Sequence, residues 1–447
     1  MADDGLATLS ATEAVAEMAR GAVSAEEYTR VCLDRIAADE DEVRAFAHLD
    51  PEHALAQARE RDEWRQTGRV LGPLHGVPVA IKDIIDTDDY PTECGSPLLV
   101  GRTPDRDATV VSKLRAAGAV IIGKTVTTEF AYFHPGPTRN PHDPERTPGG
   151  SSSGSAAAVA AGMVPLAIGS QTNGSIIRPA SFCGAFAMKP SHGLVSRAGA
   201  LMLSRTLDHI GPFARTLDDL ALMIDVMAGF DPADPDTRLQ AAPACVSVLA
   251  QEPPVSPRFG FMRTPIWDKK ISPESAQAFG ELCEAIGERA EAAELPDYFA
   301  KAWALQRTIM SADMAHNLRV FAERGGDTIS QALRDFLAEG SEVPAVDYLA
   351  ALDESRALGA SFAGYFQRYD AIITPAAAGV APKGLERTGD PAFCTMWTLF
   401  GLPAVTLPLL EGEGGMPIGV QLIGQAGDDA RLLRTARALV HQLAEAE

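Results

Sequence analysis

Two segments rich in serine and glycine, and one lysine behind an apolar run, carry the residue types of nucleophilic catalysis. The first segment is GGSSSGS at residues 149–155, and the second is GSQTNGSIIRP at residues 169–179. Lys82 ends the run VPVAIK at residues 77–82. A serine hydroxyl is a weak nucleophile until a base removes its proton. Burial lowers the pKa of a lysine, so that its neutral amine can be that base. Together these residue types indicate acyl-transfer chemistry.

The second segment could also stabilise the negative charge that develops when a carbonyl is attacked. A short loop ending at Ser175 can point consecutive backbone amides at one spot, and Gly174 lets the backbone approach closely. Each such donor is worth about 3 kcal/mol of transition-state stabilisation. Taken singly, a strand-end lysine or a Ser/Gly loop has an ordinary structural explanation. Their combination in this order favours catalysis.

Two other motif matches fail on their context. GAVIIGKT at residues 118–125 fits the phosphate-loop pattern, but its middle residues form an apolar strand rather than a loop. GSSSG at residues 150–154 fits the nucleophile elbow of α/β-hydrolases, but RTPG precedes it where an apolar strand is required. None of the nine histidines has the spacing of an HExxH zinc hydrolase. A lysine base therefore remains the preferred hypothesis.

The elements that must position these residues follow from the periodicity of the apolar residues. Three- and four-residue spacing predicts helices across residues 8–65, with Ser24 as an N-cap. Short β-branched runs at residues 77–81 and 119–122 flank a helical pattern at residues 108–117. Strand, helix and strand in this order indicate a parallel α/β unit, with Lys82 at the end of its first strand.

Further along the chain, small and polar residues predict loops at residues 135–155 and 169–179, separated by an Ala-rich helix. Another amphipathic helix is expected at residues 214–228. Near the end of the chain, three short β-branched runs at residues 371–374, 404–407 and 419–423 predict strands. A last helix is predicted at residues 428–445. The expected fold class is α/β, with a mixed, largely parallel sheet sandwiched by helices.

The composition is that of an ordinary globular chain with an acidic balance. Its 447 residues include 39 Lys and Arg against 60 Asp and Glu, which gives a formal net charge of −21. Nucleic acids and anionic membranes bind basic patches, so neither is an expected partner. Only eight of the basic residues are lysine.

Cysteine usage and the start of the chain indicate a cytoplasmic protein. The six cysteines form no CxxC pair and are interpreted as structural thiols rather than a disulfide framework or zinc site. The start at residues 1–4 is acidic, unlike a secretory signal. The longest apolar run, residues 156–169, contains Pro165 and is shorter than the ~20 residues of a membrane span.

With these motifs and elements in view, the sequence resembles the amidase signature family. The block GGSSSGSAAAVAAGMVPLAIGSQTNGSIIRPASFCGAFAMKP at residues 149–190 carries the resemblance. Upstream, GPLHGVPVAIKDIIDT and GAVIIGKT are similar to the family, and so are MWTLFGLPAVTLPL and MPIGVQLIG near the end. The resemblance covers residues from about 8 to 445 and is weakest at 230–370.

The resemblance implies a single amidase-signature domain with a Ser–cis-Ser–Lys triad. Ser175 is then the acylated nucleophile, Ser151 the bridging serine after a cis bond from Gly150, and Lys82 the ultimate base. The implied oxyanion donors are the backbone amides of Thr172, Asn173, Gly174 and Ser175. The expected divisions are N-terminal helices at residues 1–65 and a catalytic core at residues 66–229, which contains the signature block at residues 149–190. A helical insertion follows at residues 230–370, and residues 371–447 return to the core sheet and end in the last helix.

The sequence departs from the common family pattern DxGGSIR before the nucleophile. It has Gln171 and Asn173 in place of the acid and the first glycine, and its arginine lies one place later, at Arg178. These departures, with Ser153 where many members have glycine, resemble the malonamidase-like branch. In that branch the arginine binds a substrate carboxylate. The alternative is that Arg178 braces the loop through backbone carbonyls, since a guanidinium suits either role.

The loop leading to the first Ser-rich segment carries Phe130, Tyr132, Phe133 and His134. These side chains could line an acyl pocket or pack against the core, and the sequence leaves both open.

The expected activity is hydrolysis of a small-molecule amide C–N bond, with no metal and no organic cofactor. Carbamate, urea-type or aryl-acylamide substrates remain alternatives, because the same triad attacks any of these carbonyls. An alternative of another class is an amidotransferase subunit that works only in a complex. The expected partner is a small amide or carbamate, with no nucleic acid and no membrane, and a homodimer is compatible with the sequence.

Overall fold

One mixed sheet organises the described part of the chain. The computed structural model describes residues 3–446, so the first two residues of the acidic start lie outside it. The strands are β1 Phe46–Leu49, β2 Pro78–Lys82, β3 Val120–Thr125, β4 Leu166–Gln171, β5 Phe186–Lys189, β6 His209–Ala214, β7 Phe259–Phe261, β8 Ala290–Ala292, β9 Ala371–Pro375, β10 Ala404–Gly412 and β11 Met416–Ile423. Their order across the sheet is β1-β3-β2-β4-β6-β5-β10-β11-β9-β7-β8. The expected α/β class is confirmed.

Helices connect these strands and cover the sheet. They are α1 Asp3–Ala7, α2 Ala11–Arg20, α3 Ala25–Val43, α4 Pro51–Gln66, α5 Thr109–Ala116, α6 Ser153–Ala160, α7 Ile177–Cys183, α8 Leu217–Met227, α9 Cys245–Leu249, α10 Trp267–Lys270, α11 Pro273–Ile286, α12 Ala302–Asn317, α13 Arg319–Gly325, α14 Gln331–Ser341, α15 Ala345–Phe362, α16 Ala392–Leu399 and α17 Asp429–Ala446. The predicted N-cap is confirmed, because the Ser24 side chain accepts from the Glu27 amide and Glu27 bonds back in a capping box.

The sheet is mixed as expected, but it is not largely parallel. Four of the ten neighbouring pairs are parallel: β2 with β3 and β4, and β7 with β8 and β9. The other six are antiparallel. The strand–helix–strand order holds for β2, α5 and β3. By contrast, β10 and β11 meet through a short turn as a hairpin. Sequence order does not show which non-consecutive strands become neighbours.

Helices pack on both faces of the sheet, and alternation along β2 assigns its side chains to the two sides. Val79 and Ile81 belong to an apolar cluster shared with α5 and α8. Ala80 belongs to a second cluster, shared with α3 and α6. Side chains two residues apart in a strand point to the same face. Lys82 therefore lies on the face of Ala80, toward α6 and the Ser-rich segment before it.

The second predicted loop is shorter than the sequence suggests. Gly169 lies inside β4, and α7 already begins at Ile177, so residues 172–176 alone form the loop. A Cβ at Gly169 would lie 2.6 Å from Ser152 Oγ, so close packing requires a glycine in this central strand. The small residues of this strand allow tight packing, and their composition is similar to that of a loop, which is why the sequence predicted a loop here.

Part of the N-terminal region is also a strand rather than a helix. Residues 46–49 form β1, which pairs antiparallel with β3 at the edge of the sheet. A strand of four residues is too short for its alternating pattern to be recognised in the sequence, and it forms here because β3 offers a pairing edge.

Helices α12, α14 and α15 pack together beside the sheet, and α12 also contacts α16. Gly340 in α14 allows an especially close approach, because a Cβ there would lie 1.9 Å from the Ser311 carbonyl oxygen of α12. The division of the chain at residues 230 and 370 stays a prediction. Across residues 3–446, no helix is both long enough and apolar enough to cross a membrane.

Candidate active site

Lys82 is the buried centre of a serine cluster. Its side chain is 0% exposed. Its Nζ donates to Ser151 Oγ at 2.7 Å, to Ser170 Oγ at 2.9 Å and to Ser152 Oγ at 3.0 Å. Strand β2 supplies the lysine, the segment entering α6 supplies two serines, and β4 supplies the third. A charged ammonium would donate to all three hydroxyls, whereas the neutral amine has two N–H donors and a lone pair that accepts from the third hydroxyl.

The environment of Lys82 favours its neutral amine. Burial holds its pKa well below the ordinary value of 10.5, because the charged ammonium loses its hydration, while the nearby Asp208 carboxylate acts in the opposite direction. Lys124 and Lys189 are equally buried, but they donate to the backbone carbonyls of Ile85 and Leu402, among other groups. Lys82 is therefore the buried lysine whose donors meet a cluster of serine hydroxyls.

Ser151 and Ser175 meet at one narrow cleft. The peptide bond from Gly150 to Ser151 is cis, in agreement with the resemblance. The Ser152 amide donates to the Ser175 carbonyl at 3.4 Å, which ties the two segments together. Both serines line the cleft, and Ser175 is half-buried. The two predicted serines therefore open to a common space.

The loop before Ser175 presents free backbone donors to this cleft. Within the described residues, the amides of residues 172–175 donate to no protein acceptor. The same four residues line the cleft. Gly174 has no room for a side chain, since a Cβ would lie 2.8 Å from Pro391. Free amides around one small cavity are what an oxyanion requires.

Side chains outside the predicted site hold this loop from two sides. Gln171 Oε1 accepts from the Ile176 and Ile177 amides at 2.8 and 3.0 Å, and its Nε2 donates to Thr398 Oγ1 at 2.9 Å. Thr398 Oγ1 in turn donates to the Asn173 carbonyl at 2.5 Å. Gln171 thus stands where the family commonly has an acid, and its amide serves both as acceptor and as donor.

Asp208 holds the other side of the loop. Its carboxylate accepts from Thr172 Oγ1 at 2.6 Å and from the Leu203 and Ser204 amides at 2.8 and 3.0 Å. Burial raises the pKa of Asp208 to about 6, and the three hydrogen bonds oppose that rise. The residue touches the loop rather than the cleft, so it acts as a positioning group.

Arg178 makes the contacts of a loop brace. Its side chain is 2% exposed. Nη1 donates to the Gly389 carbonyl at 2.6 Å, and Nη2 donates to the Gly150 carbonyl at 2.5 Å. Burial lowers its pKa to about 10, so it remains charged at neutral pH. Arg178 also lines the cleft, and its buried Nε has no protein partner among the described residues.

The aromatic residues of the loop at residues 130–134 divide between lining the cleft and packing in the core. Tyr132 and Phe133 line the cleft together with Met310 of α12. Phe130 is fully buried and packs on Phe321, with ring centroids 4.9 Å apart. The wall of the cleft is therefore partly aromatic.

One group of carboxylates in the described residues is close enough to hold a metal ion: Asp88, Asp89 and Asp107. None of them lines the cleft. Arg115 already pairs with Asp89 at 2.6 Å and with Asp107 at 2.9 Å, so the negative charge has a partner within the protein.

Three supporting residues were missed from the sequence: Gln171, Thr398 and Asp208. Gln171 was noticed only as a departure from the family pattern. Thr398 lies on α16, 227 positions from Gln171 in the chain. Asp208 has no motif around it that signals a role. Contacts between distant segments give no periodic signal along the sequence.

Comparisons with known proteins agree with this geometry. A sequence model of the family described as Amidase matches residues 27–433. A glutamyl-tRNA(Gln) amidotransferase subunit from Chloroflexus aurantiacus is 37% identical over 467 aligned positions, which cover 96% of each chain. The solved peptide amidase from Stenotrophomonas maltophilia has a TM-score of 0.85 at 30% identity and covers 98% of this chain and 97% of its own.

A further solved chain comes from work described as "An unexpected vestigial protein complex reveals the evolutionary origins of an s-triazine catabolic enzyme". It has a TM-score of 0.90 at 32% identity and covers 97% of this chain and 98% of its own. All of these relatives match along nearly the whole length of the chain, and a serine cluster around a buried lysine is consistent with the match. The chain therefore belongs to the amidase signature family of enzymes acting on C–N bonds.

Proposed function

We propose that this protein hydrolyses a small-molecule amide C–N bond through an acyl-enzyme on Ser175, with Ser151 and Lys82 as the proton relay. One observation carries the proposal: Lys82 is completely buried and bonded to Ser151 Oγ at 2.7 Å, beside the cleft that Ser175 shares. A buried lysine whose amine is neutral is a base, and the bridging hydroxyl can both accept and donate a proton.

The proposed reaction has two halves. Ser175 Oγ attacks the carbonyl carbon while its proton passes to Ser151, whose own proton passes to the Lys82 amine. The oxyanion is held by the free amides of residues 172–175. The C–N bond breaks as the leaving nitrogen takes the proton back through the relay. Water then attacks the acyl group, gives its proton to the same relay, and the acid leaves as Ser175 is restored.

Arg178 as a substrate-binding residue stays a proposal. The resemblance to the malonamidase-like branch supports a contact with a substrate carboxylate, and so does its position on the cleft wall. Both of its terminal nitrogens are already engaged by carbonyl oxygens, which supports bracing. A carboxylate would have to bind at Nε or displace one of these bonds.

A second candidate function follows from the curated relatives. The relative from Chloroflexus aurantiacus, at 37% identity, is named as one subunit of an amidotransferase. If this chain had the same role, it would act only within a complex. Carbamates, urea-type compounds and aryl-acylamides are further candidate substrates, because the same relay can activate Ser175 to attack any of these carbonyls.

The test is acylation and turnover by the purified single chain with a panel of anilides, amides and carbamates. Ser175→Ala should abolish both turnover and the covalent mass increase, because the nucleophilic oxygen is gone. Ser112→Ala, on an exposed face of α5, is the matched control and should behave as wild type.

Two results would contradict the proposal. Turnover by Ser175→Ala near the wild-type rate would remove the nucleophile assignment. A wild-type chain that is inert alone but active with partner proteins would favour the amidotransferase function.

A further inference from the structure

The active cleft encloses little space. Its enclosed space is about 10 Å³, close to the volume that one water needs. Tyr132, Phe133, Met310 and Pro391 are among the residues that line it. The surface beside the cleft is therefore where the rest of an extended substrate would lie.

Such a surface adjoins the cleft at Pro391. A groove of about 640 Å³ is formed by the segment between β9 and α16, and Pro391 lines both spaces. Gly389 also lines the groove, and its carbonyl accepts from Arg178 in the cleft wall. The groove is thus fixed to the active site through two residues of one short segment.

The charges of this groove differ from those of the molecule as a whole. Lys383 and Arg387 line it, both exposed, and within residues 3–446 neither has a carboxylate partner within 4.0 Å. Asp390 is neutralised by Lys270 at 2.8 Å, and its other oxygen accepts from the Ala392 amide at 2.9 Å. Glu386 is the remaining acid of the lining.

The balance leaves two free cations against one free acid in the described lining, on a chain whose net charge is −21. A local excess of positive charge beside a cleft attracts anionic ligands and orients them. Lys383 and Arg387 have free donors, whereas the terminal donors of Arg178 are occupied. A guanidinium and an ammonium together suit a carboxylate.

We propose that this groove binds a carboxylate carried by the substrate beyond its scissile amide, through Lys383 and Arg387. The inference rests on the proposed amide hydrolysis and specifies its substrate class: extended amides with an anionic end. The charged end lies outside the cleft, while the carbonyl reaches Ser175.

The test compares glutaryl-4-nitroanilide, which has a free carboxylate, with its neutral methyl ester. The readout is the ratio of kcat/KM for the acid to kcat/KM for the ester. The double variant K383A/R387A should lower this ratio about tenfold, because the anionic end loses its two cations. The double variant K301A/R319A removes the same charge from exposed residues outside the groove and should leave the ratio as in wild type.

A binding measurement separates this inference from the proposed hydrolysis. Calorimetric titration of the Ser175→Ala protein with glutarate and with the neutral dimethyl glutarate needs no turnover. Preferential binding of glutarate that is lost in K383A/R387A supports the groove even if neither anilide is cleaved. A ratio and a binding preference that K383A/R387A leaves unchanged would overturn it, whether or not the anilides react. An equal loss for acid and ester would also overturn it, because the two cations would then only support the segment.

Discussion

At the scale of single residues, the decisive feature is the position of Lys82. Lysine and arginine differ here, because burial can deprotonate an amine but not a guanidinium. Lys82 lies on the face of β2 that points toward α6, and its Nζ is within 2.7–3.0 Å of three serine hydroxyls. In its neutral form the amine has a lone pair, which can accept the proton of Ser151. The low pKa of Lys82 comes from burial rather than from a neighbouring cation.

This position predicts the pH dependence of acylation. Because burial lowers the Lys82 pKa, the amine is protonated and inactive at low pH, and kcat/KM should rise with pH through that lowered pKa. Lys82→Arg should lose the rising limb and about three orders of magnitude in kcat/KM, because a guanidinium stays charged. A pH series of initial rates with one anilide checks both, with the exposed Lys269→Arg as control. A flat profile limited by chemistry in wild type would contradict the lysine base.

Asp208 is the second residue whose charge reaches the relay. Its carboxylate raises the Lys82 pKa and fixes Thr172 through a 2.6 Å hydrogen bond. Asp208→Asn removes the charge and keeps one oxygen acceptor, which can serve Thr172, while the Leu203 and Ser204 amides lose theirs. The Lys82 pKa should then fall further, and the rising limb of kcat/KM should move to lower pH.

The matching measurement is the pH profile of Asp208→Asn beside that of Asp208→Ala. The alanine variant loses the acceptor as well, so it should lower kcat in addition to moving the limb. A limb at the wild-type pH in both variants would show that Asp208 has no electrostatic effect on the relay.

At the scale of elements, the cleft depends on how closely α12 and α14 pack. Gly340 and Ser311 form that contact, and Met310, the neighbour of Ser311, lines the cleft. A shift between α12 and α14 should therefore reach the cleft, because a closely packed interior has few voids that could absorb it.

Gly340→Ala should therefore disturb both stability and substrate binding. Its Cβ would lie 1.9 Å from a backbone oxygen, so the helices must separate, at a cost of about 1–3 kcal/mol. We expect a lower Tm and a raised KM. Gly280→Ala in α11 is the matched control, since its Cβ meets nothing within 4 Å, and better helix propensity should stabilise it by about 1 kcal/mol. Equal Tm changes of the two variants would contradict the close contact.

At the scale of the whole molecule, two apolar clusters on opposite faces of one sheet support the fold. The six cysteines are free; five are buried and Cys283 is half-buried. Burial raises the pKa of Cys283 to about 11 and that of Cys32 to about 12, so the reactive thiolates are scarce at neutral pH.

Thiol titration with an aromatic disulfide at pH 8 checks this arrangement. In the native protein at most one thiol, Cys283, should react slowly, and all six should react after denaturation. The Cys283→Ser variant should lose the slow native phase. Rapid reaction of several thiols in the native protein would contradict the burial.

The α/β class followed from the apolar patterns of the sequence, and its resemblance to the amidase signature family implied the three residues proposed for the triad. Each of these depends on local chemistry: a lysine after an apolar strand, and small residues in two short segments. Such features involve residues that are close together in the chain, so their types and spacing can be recognised from the sequence. The resemblance then supplied the roles of Ser151 and Ser175, which spacing alone left open.

Contacts between segments that are distant in the chain became visible only in the tertiary structure. It placed six of the ten strand pairs antiparallel, corrected the loop at residues 169–179, and brought Asp208 and Thr398 to the loop before Ser175. These contacts join segments tens to hundreds of residues apart. Strand neighbours and hydrogen-bond partners at such distances are chosen by packing of the whole chain, and no local pattern records that choice.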